Sequence, residues 1–202
     1  MTKILTLRSS LLGAASASNR LIDACLAEVQ AEVTERDLAA DALPHFDAVA
    51  ATALRGEPVT DVEQARRALS DVLIAEVQAA DVLLIGAPMY NFGIASTLKS
   101  WFDHVIRAGV TFRYSEAGPE GLIKGKRAIV VMSRGGQYEG LMRAMDSQEP
   151  HLRTLLSFIG ITEIDFILAD KLAFGPEAHG DSMATAQVKI TESLLRHVRL
   201  AA

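Results

Sequence analysis

A layered α/β fold, in which helices cover both faces of one parallel sheet, is the fold class that this sequence predicts. Short apolar runs with the length of buried strands alternate along the chain with longer segments whose apolar residues recur at helical spacing. The 202 residues, of which 50% are hydrophobic and only 5% aromatic, are enough for one aliphatic core and few for two. No repeat, linker or low-complexity tract interrupts them, so we expect one domain over residues 1–202.

The amino-terminal part of the chain predicts two strands and two long helices. A first strand covers Lys3 to Arg8, and Asn19 to Val33 carries apolar residues at helical spacing. Thr34 to Leu38 is a polar second strand, as expected at a sheet edge, and Asp41 to Thr60 is predicted to be irregular. A capping box then opens a helix that runs to about Ala80.

The rest of the chain continues the alternation. Apolar stripes predict a helix that begins near Ile94, one that ends at Gly160 and a last one from Met183 to Val198. Ala108 to Gly125 is predicted to be an excursion with one short strand, from Val110 to Arg113. The remaining predicted strands are Val82 to Ile85, Ala128 to Met132 and Phe166 to Ala169.

Five alternating strands favour the flavodoxin-like strand order 2-1-3-4-5, with right-handed crossovers between parallel neighbours. In that order the first, third and fourth strands lie side by side in the middle of the sheet. Ligands of open parallel sheets bind outside the carboxyl ends of the strands, so a site is expected in the loops that follow these three strands.

Composition argues against several classes of function. The formal net charge of −5 is unlike that of a nucleic-acid binder, which normally shows a basic patch. Cys25 is the only cysteine, so the chain can form no internal disulfide and no cysteine-based zinc site. Its apolar neighbours at helical spacing predict that it is a small buried hydrophobe.

The histidines and the apolar runs give further exclusions. None of the five histidines forms a metal-ligand pair, so no metal is expected, and His104, beside Trp101, is expected at a surface or an interface. No G-x-S-x-G motif is present for a hydrolase nucleophile. The chain has no secretory signal pattern and no run near the roughly 20 apolar residues of a membrane helix, which favours a soluble cytoplasmic protein.

The loop after the first strand is rich in serine. Ser10, Ser16 and Ser18 stand just before or at the start of a helix, where free backbone amides and the positive end of the helix dipole favour a phosphate. The loop has no P-loop lysine and no G-x-G-x-x-G, so neither a nucleoside triphosphate nor a classical dinucleotide is indicated. From these residues alone, a phosphate site and a simple helix cap at Ser18 both stay open.

The loops after the third and fourth strands suit a flat ring. Met89 to Phe92 place aromatic side chains on either side of an amide at the end of a buried strand. Ser133 to Gly136 contain paired glycines, which allow a backbone to approach a ligand closely. Aromatics packed in the core and an ordinary glycine turn are the alternatives. The coincidence of three such loops favours one ligand with a phosphate and a ring.

These three loops resemble those of the FMN-dependent NADH-azoreductase family, within the flavodoxin-like quinone reductases. The most specific match is Ala-Pro-Met-Tyr-Asn-Phe at 87–92, followed by Ser-Arg-Gly-Gly at 133–136. This chain departs from the family pattern at Ala17, where glutamine is usual, and in the stretch after Gly136. Further matches are Ala108 to Tyr114, Gly118 to Leu122, Phe158 to Thr162 and Gly175 to Glu177.

The resemblance implies a bound FMN and a homodimer with two equivalent sites at its interface. Tyr114 and Phe158 would form walls of the substrate slot. The apolar stripe of Trp101, Phe102 and Val105 would be either part of that interface or core. The FMN ligands that the resemblance implies are Ser10, Ser16, Ala17 and Ser18 for the phosphate, and Met89, Tyr90, Asn91, Phe92, Ser133, Arg134, Gly135 and Gly136 for the isoalloxazine.

The implied reaction is ping-pong, two-electron hydride transfer from NADH or NADPH through the flavin to a quinone or azo acceptor. The protein then needs no nucleophile, because the cofactor carries the difficult chemistry. A flavodoxin-type electron carrier without nicotinamide turnover is one alternative, and a flavin-free binding module on the same fold is another. Arg55 is a further candidate for contacting the acceptor or the nicotinamide phosphate, although a solvated surface arginine is favoured.

Overall fold

A five-stranded parallel sheet forms the middle layer of the computed structural model, which describes residues 1–200. The strands along the chain are Lys3–Arg8 (β1), Val29–Gln30 (β2), Glu32–Asp37 (β3), Val82–Pro88 (β4), Phe112–Ser115 (β5), Gly118–Gly121 (β6), Arg127–Ser133 (β7), Glu163–Ala169 (β8) and Arg199–Leu200 (β9). The order in the sheet is β3-β1-β4-β7-β8, with every neighbouring pair parallel. Counting only these five strands along the chain gives 2-1-3-4-5, so the predicted fold class is confirmed.

The part of the chain that the structure describes contains six α-helices. They are Ala17–Leu26 (α1), Ala48–Arg55 (α2), Asp61–Ala79 (α3), Ser96–Val105 (α4), Gln148–Ile159 (α5) and Pro176–Leu195 (α6). Short 3₁₀ turns lie at Gly13–Ala15 and Gly140–Met145. Outside the main sheet, β2 pairs antiparallel with β9, and β5 pairs antiparallel with β6 to form a hairpin.

Two apolar clusters, one on each face of the sheet, form the core. Side chains of β1 alternate between them, since Ile4 belongs to the cluster under α1 and α6, whereas Leu5 belongs to the cluster under α3, α4 and α5. Every residue of β4 is buried, which is typical of the central strand of a parallel sheet covered on both faces. The carboxyl ends of β1, β4 and β7 therefore meet at one edge, where the site lies.

Local details bear out several predictions. Thr60 and Glu63 form the capping box at the start of α3, and Gly160 ends α5 in the left-handed region with φ 104°. The polar strand β3 lies at the sheet edge. Cys25 is fully buried, and burial raises the pKa of its thiol to about 11.

The structure corrects three element predictions. The excursion over 108–125 contains two strands, β5 and β6, which pair as a hairpin, in place of the single predicted strand from Val110 to Arg113. The first helix ends at Leu26, not Val33, because Val29 and Gln30 pair with the carboxyl-terminal strand. The segment predicted to be irregular contains α2, whose first amides are capped by Asp47: its Oδ1 accepts a hydrogen bond from Ala50 N at 2.8 Å. Four of its eight residues are alanine, so its apolar pattern is too weak to be recognised from spacing alone.

Two further corrections concern the fourth helix. His104, predicted to lie at a surface or an interface, is fully buried, with Nε2 3.0 Å from Pro44 O and its ring edge-on to Phe46. Trp101, Phe102 and Val105 are fully buried within one chain. The stripe that they form is core, so it cannot be an interface between copies.

The β5–β6 hairpin is joined to α5 by direct backbone contact. A Cβ placed on Gly121 would stand 2.1 Å from the backbone nitrogen of Gly160, which leaves no room for a side chain at that point. The amide of Ile123 also donates to Ile159 O at 2.8 Å. The hairpin and α5 therefore pack as one unit at the side of the sheet.

Candidate functional site

A cavity of about 270 Å³ lies where the loops after β1, β4 and β7 meet. The amino-terminal end of α1 borders it on one side, and the start of α6 borders it on another. No carboxylate lines it among the residues that the structure describes, although the chain as a whole is acidic. The lining residues are Ser10, Leu12, Ala15, Ser16, Ala17, Arg20, Pro88, Met89, Tyr90, Ser133, Arg134, Gly135, Leu172, Ala173 and His179.

Serine side chains organise the end of the cavity at α1. Ser16 is the N-cap, since its Oγ accepts a hydrogen bond from Asn19 N at 3.2 Å, so the predicted alternative of a cap at Ser18 is wrong. The hydroxyls of Ser16 and Ser18 lie 3.1 Å apart, and both residues are buried. Unpaired amides at a helix start and small hydroxyls together favour an anion at this end.

The loop after β4 makes a tight turn under strain. Asn91 and Phe92 both have positive φ, 46° and 73°, and the amides and carbonyls of Tyr90 and Gly93 bond across them. Such a conformation is unusual for a bulky residue such as Phe92. The turn fixes Tyr90, whose hydroxyl accepts from Leu11 N at 2.8 Å and so ties the serine loop to the aromatic loop.

The loop after β7 is held by a buried arginine. Arg134 Nη1 lies 2.8 Å from Asp146 Oδ2, and the guanidinium lies 5.5 Å from the centre of the Tyr138 ring. Tyr138 in turn meets Phe92 edge-on, with ring centroids 6.0 Å apart. Arg134 Nε is buried and finds no hydrogen-bond partner among residues 1–200, so a polar donor remains free at the cavity wall.

Three consecutive residues that follow the 3₁₀ turn at Gly140–Met145 join the loops after β4 and β7 to α5. Asp146 binds Arg134, as described, while Ser147 donates from Oγ to Phe92 O at 2.7 Å and from its amide to the same oxygen at 3.1 Å. Gln148 Nε2 donates to Ala87 O at 2.7 Å from a fully buried position. These residues could not be singled out from the sequence, because nothing in their local pattern separates them from an ordinary helix start.

An arginine–histidine pair closes the cavity between α1 and α6. Arg20 Nη2 lies 3.3 Å from His179 Nε2, and His179 Nδ1 lies 3.2 Å from Leu172 O. A guanidinium can only donate and a carbonyl can only accept, so these two contacts make Nε2 the acceptor from Arg20 and Nδ1 the donor to Leu172 O. Neither residue was singled out in the sequence.

The structure brings most of the site residues named from the sequence to this cavity, but not all. Ser18, Asn91, Phe92 and Gly136 stand next to lining residues without lining it themselves. The lining positions predicted from the sequence are Ser10, Ser16, Ala17, Met89, Tyr90, Ser133, Arg134 and Gly135.

Tyr114 and Phe158, the predicted walls of the substrate slot, lie outside the cavity. Both pack against Phe112, with ring centroids 5.5 Å and 4.6 Å from it, on the unit made by the hairpin and α5. Tyr114 is 74% exposed. Arg55 is exposed at the end of α2 and does not line the cavity. Within a single chain, these three residues therefore contribute nothing to the cavity wall.

Residues 1–200 contain no group of three or more histidine, cysteine or acidic side chains placed to hold a metal ion. Over the same range, the helices all lack the combination of length and apolar character that crossing a bilayer requires.

Comparison with known proteins gives a consistent result. A family model described as having the flavodoxin-like fold matches residues 2–194. A protein of Hyphomonas neptunium named FMN-dependent NADH:quinone oxidoreductase is 48% identical over 198 residues, which is 95% of each chain. FMN-dependent NADH:quinone oxidoreductase 6 of Burkholderia lata is 49% identical over 197 residues, 94% of this chain and 98% of that protein.

Solved structures agree. The crystal structure of an azoreductase from Bacillus anthracis superposes with a TM-score of 0.87 and 25% sequence identity. The match covers 97% of this chain and all of that one. Similarity therefore extends over the whole alternation of strands and helices, including the loops that form the cavity.

Proposed function

The chain belongs to the flavodoxin-like fold family, and from that premise we propose that it is an FMN-dependent NADH oxidoreductase that reduces quinones and azo compounds. The observation that carries the proposal is the sequence identity of 48% and 49%, over nearly the full length, to two proteins named FMN-dependent NADH:quinone oxidoreductase. The azo acceptors are proposed from the likeness to a solved azoreductase. The cavity supports the proposal, because it joins an anion-binding helix start to two loops suited to a flat ring. NADH and NADPH are the two candidate hydride donors, and parallel assays with both nucleotides distinguish them.

The residues present fit FMN. A phosphate requires donors without nearby carboxylates, and the α1 end of the cavity offers buried serine hydroxyls and helix amides with no acid in the lining. The opposite end offers the strand-end backbone at Met89, the Tyr90 side chain and the free Nε of Arg134. When bound, FMN supplies the two-electron hydride chemistry.

The protein's own contribution is placement. Ser10, Ser16, Ala17 and Ser18 would hold the phosphate, and the loops at 89–92 and 133–136 would hold the ring, with Asn91 on its polar edge. The hydrogen bonds from Ser147 and Gln148 fix the first of these loops, and the Asp146 carboxylate fixes the second. Groups held in this way need little rearrangement when the ring binds.

A homodimer is part of the proposal. Large apolar side chains stay exposed on every loop that follows a central strand at the cavity edge, which is typical of a surface that another molecule covers. Leu141 is fully exposed, at 100%. The others on these loops are Leu11, Leu12, Phe92, Met142 and Met145, and Phe174 is exposed in the loop after the edge strand β8.

The position of Tyr114 and Phe158 also supports a dimer. They do not reach the cavity of their own chain, yet they present aromatic surface on a rigid unit. We infer that each chain supplies these rings to the substrate slot of its partner. Light scattering tests the dimer directly: a mass of twice 21.7 kDa is expected, and a mass of 21.7 kDa at working concentration contradicts it.

Complementation tests the shared slot. Ser16→Asp should abolish FMN binding by repulsion, and Tyr114→Ala combined with Phe158→Ala should abolish acceptor reduction. In a mixed dimer, only the chain with the two aromatic substitutions binds flavin, and only the Ser16→Asp chain still has Tyr114 and Phe158. The flavin site is therefore complete only if the aromatic side chains come from the other chain. Recovery of activity on mixing is therefore expected, and no recovery despite proven subunit exchange contradicts the shared slot.

Colour and turnover test the function as a whole. The purified protein should be yellow, should release FMN and not FAD on heating, should bleach with NADH and should recover its colour with a quinone. Because donor and acceptor would use one slot in turn, double-reciprocal plots should be parallel. Intersecting plots would contradict the ping-pong order and indicate a ternary complex. A yellow protein that NADH does not bleach, or semiquinone as the main product, would favour the flavodoxin-type carrier. A colourless protein that takes up no flavin would favour the flavin-free module.

Cytoplasmic localisation completes the proposal, because the reaction draws on NADH. Fractionation of the source cells should recover the protein and its activity together in the cytosolic fraction. Recovery in a membrane or secreted fraction would contradict it.

A further inference from the structure

We propose that Arg20 is a ligand of the flavin phosphate and that His179 is the residue that positions it. The inference rests on the proposed function and adds to it two residues that lie outside the loops matched to the family. Both residues line the cavity, and they approach it from opposite elements: Arg20 from the first turns of α1, His179 from the first turn of α6.

The charge distribution of the cavity carries the argument. Arg20 and Arg134 are the two guanidiniums in its lining. Arg134 is already neutralised by Asp146 at 2.8 Å, whereas Arg20 has no carboxylate partner within residues 1–200. A phosphate monoester carries a charge of about −1.5 to −2 at pH 7. Arg20 is the lining cation left to balance it, next to the helix start that supplies amide donors.

The role of His179 follows from its hydrogen bonds. Nδ1 donates to Leu172 O at 3.2 Å, which fixes the ring, and Nε2 then faces Arg20 Nη2 at 3.3 Å as an acceptor. One nitrogen of the guanidinium is thereby held while the remaining donors stay free. A flexible arginine held in this way loses less conformational entropy when an anion binds.

Paired titrations with FMN and riboflavin separate this role from a structural one. Riboflavin lacks the phosphate, so Arg20→Ala should weaken FMN binding about tenfold and leave riboflavin binding unchanged. Flavin-fluorescence quenching of the apoprotein gives both affinities. Arg153→Ala is the matched control, because it removes the same charge from an exposed position on α5 outside the cavity. It should change neither affinity.

His179 has its own test. His179→Ala should lose part of the FMN affinity, by about threefold, since only ordering of Arg20 is lost. His179→Gln should restore it, because the amide oxygen can accept from Arg20 in place of Nε2. In the Arg20→Ala background, substitution of His179 should have no further effect, whereas an independent role would give additive losses.

Two outcomes would overturn the proposal. Equal weakening of FMN and riboflavin by Arg20→Ala would mean that the residue acts on the fold and not on the phosphate. Unchanged FMN affinity would mean that Arg20 makes no contact with the phosphate. A wild-type apoprotein that binds neither flavin would instead refute the proposed function itself, so the two failures are distinct.

Discussion

Replacing Asp146 by alanine is expected to destabilise this protein strongly, although the residue is neither hydrophobic nor fully buried. Its Oδ2 neutralises Arg134, and its Oδ1 accepts from Gln148 N at 3.0 Å. The Arg134 side chain is only 4% exposed, against 15% for Asp146. The alanine variant would therefore leave a guanidinium buried without its counter-ion.

The expected magnitude follows from these contacts. Removing one partner of a buried ion pair costs about 3–5 kcal/mol, and the partial exposure of Asp146 places this pair at the lower end. The lost acceptor for Gln148 N, at the start of α5, adds about 1 kcal/mol. A total near 4 kcal/mol lowers the melting temperature of a chain of this size by about 10 °C. Asp146→Asn keeps a neutral acceptor and should lose about half as much.

Urea unfolding of the flavin-free protein, followed by circular dichroism at one fixed protein concentration, measures the effect. Glu149→Ala is the matched control, because Glu149 pairs with Arg153 on the surface of the same helix, with both side chains more than a third exposed. That pair should contribute only about 0.5 kcal/mol. If Asp146→Ala costs no more than Glu149→Ala, the buried pair does not stabilise the fold and the reasoning is refuted.

Three further predictions concern other parts of the molecule. Cys25, whose pKa burial raises to about 11, should not react with a thiol reagent at pH 8 until the protein is unfolded; rapid labelling of the native state would contradict this. Burial opposes ionisation of Asp165, but hydrogen bonds from the hydroxyl and guanidinium of Ser193 and Arg196 outweigh it and lower its pKa. The stabilisation that ionised Asp165 gives the fold is therefore fully present above the unfolded-state pKa of about 3.9, and it is lost as pH falls through the lower folded-state pKa. Asp165→Asn should lower the free energy of unfolding by about 1 kcal/mol at pH 7 and by progressively less below pH 4, as measured by urea melts at several pH values. Gly121→Ala should cost about 2–3 kcal/mol because its Cβ would meet the backbone of α5, while Gly180→Ala, with nothing within 4 Å, should be neutral or stabilising in the same assay.

The sequence predicted the strand order and the cavity loops because both depend on local signals. Alternating apolar runs fix which segments are strands, and the parallel topology then brings the loops after β1, β4 and β7 together. The loops that contain Ser16, Tyr90 and Arg134 could be singled out for that reason, whereas the roles of these residues came from the resemblance to a known family. The same logic gave the capping box at Thr60, since a cap is made within four residues of the chain.

What the sequence could not predict depends on contacts between distant segments. Val29 belongs to a strand only because the carboxyl-terminal end of the chain pairs with it, and helical spacing in the preceding residues concealed this. His104 is buried by a proline loop 60 residues away in sequence. Arg20 and His179 are 159 positions apart, and only the approach of α6 to α1 makes them a pair.

The left-handed backbone conformation at Phe92 means that thermal stability and catalytic turnover favour different residues at this position. Glycine there would relieve about 1–2 kcal/mol of backbone strain. A library screened only for thermal survival should therefore enrich Phe92→Gly, despite the added freedom of the unfolded chain. The same exchange removes the ring that meets Tyr138 edge-on, in the loop whose Met89 and Tyr90 line the cavity. A library screened for reduction of an acceptor should retain phenylalanine. The residue recovered at position 92 therefore shows whether stability or activity was selected.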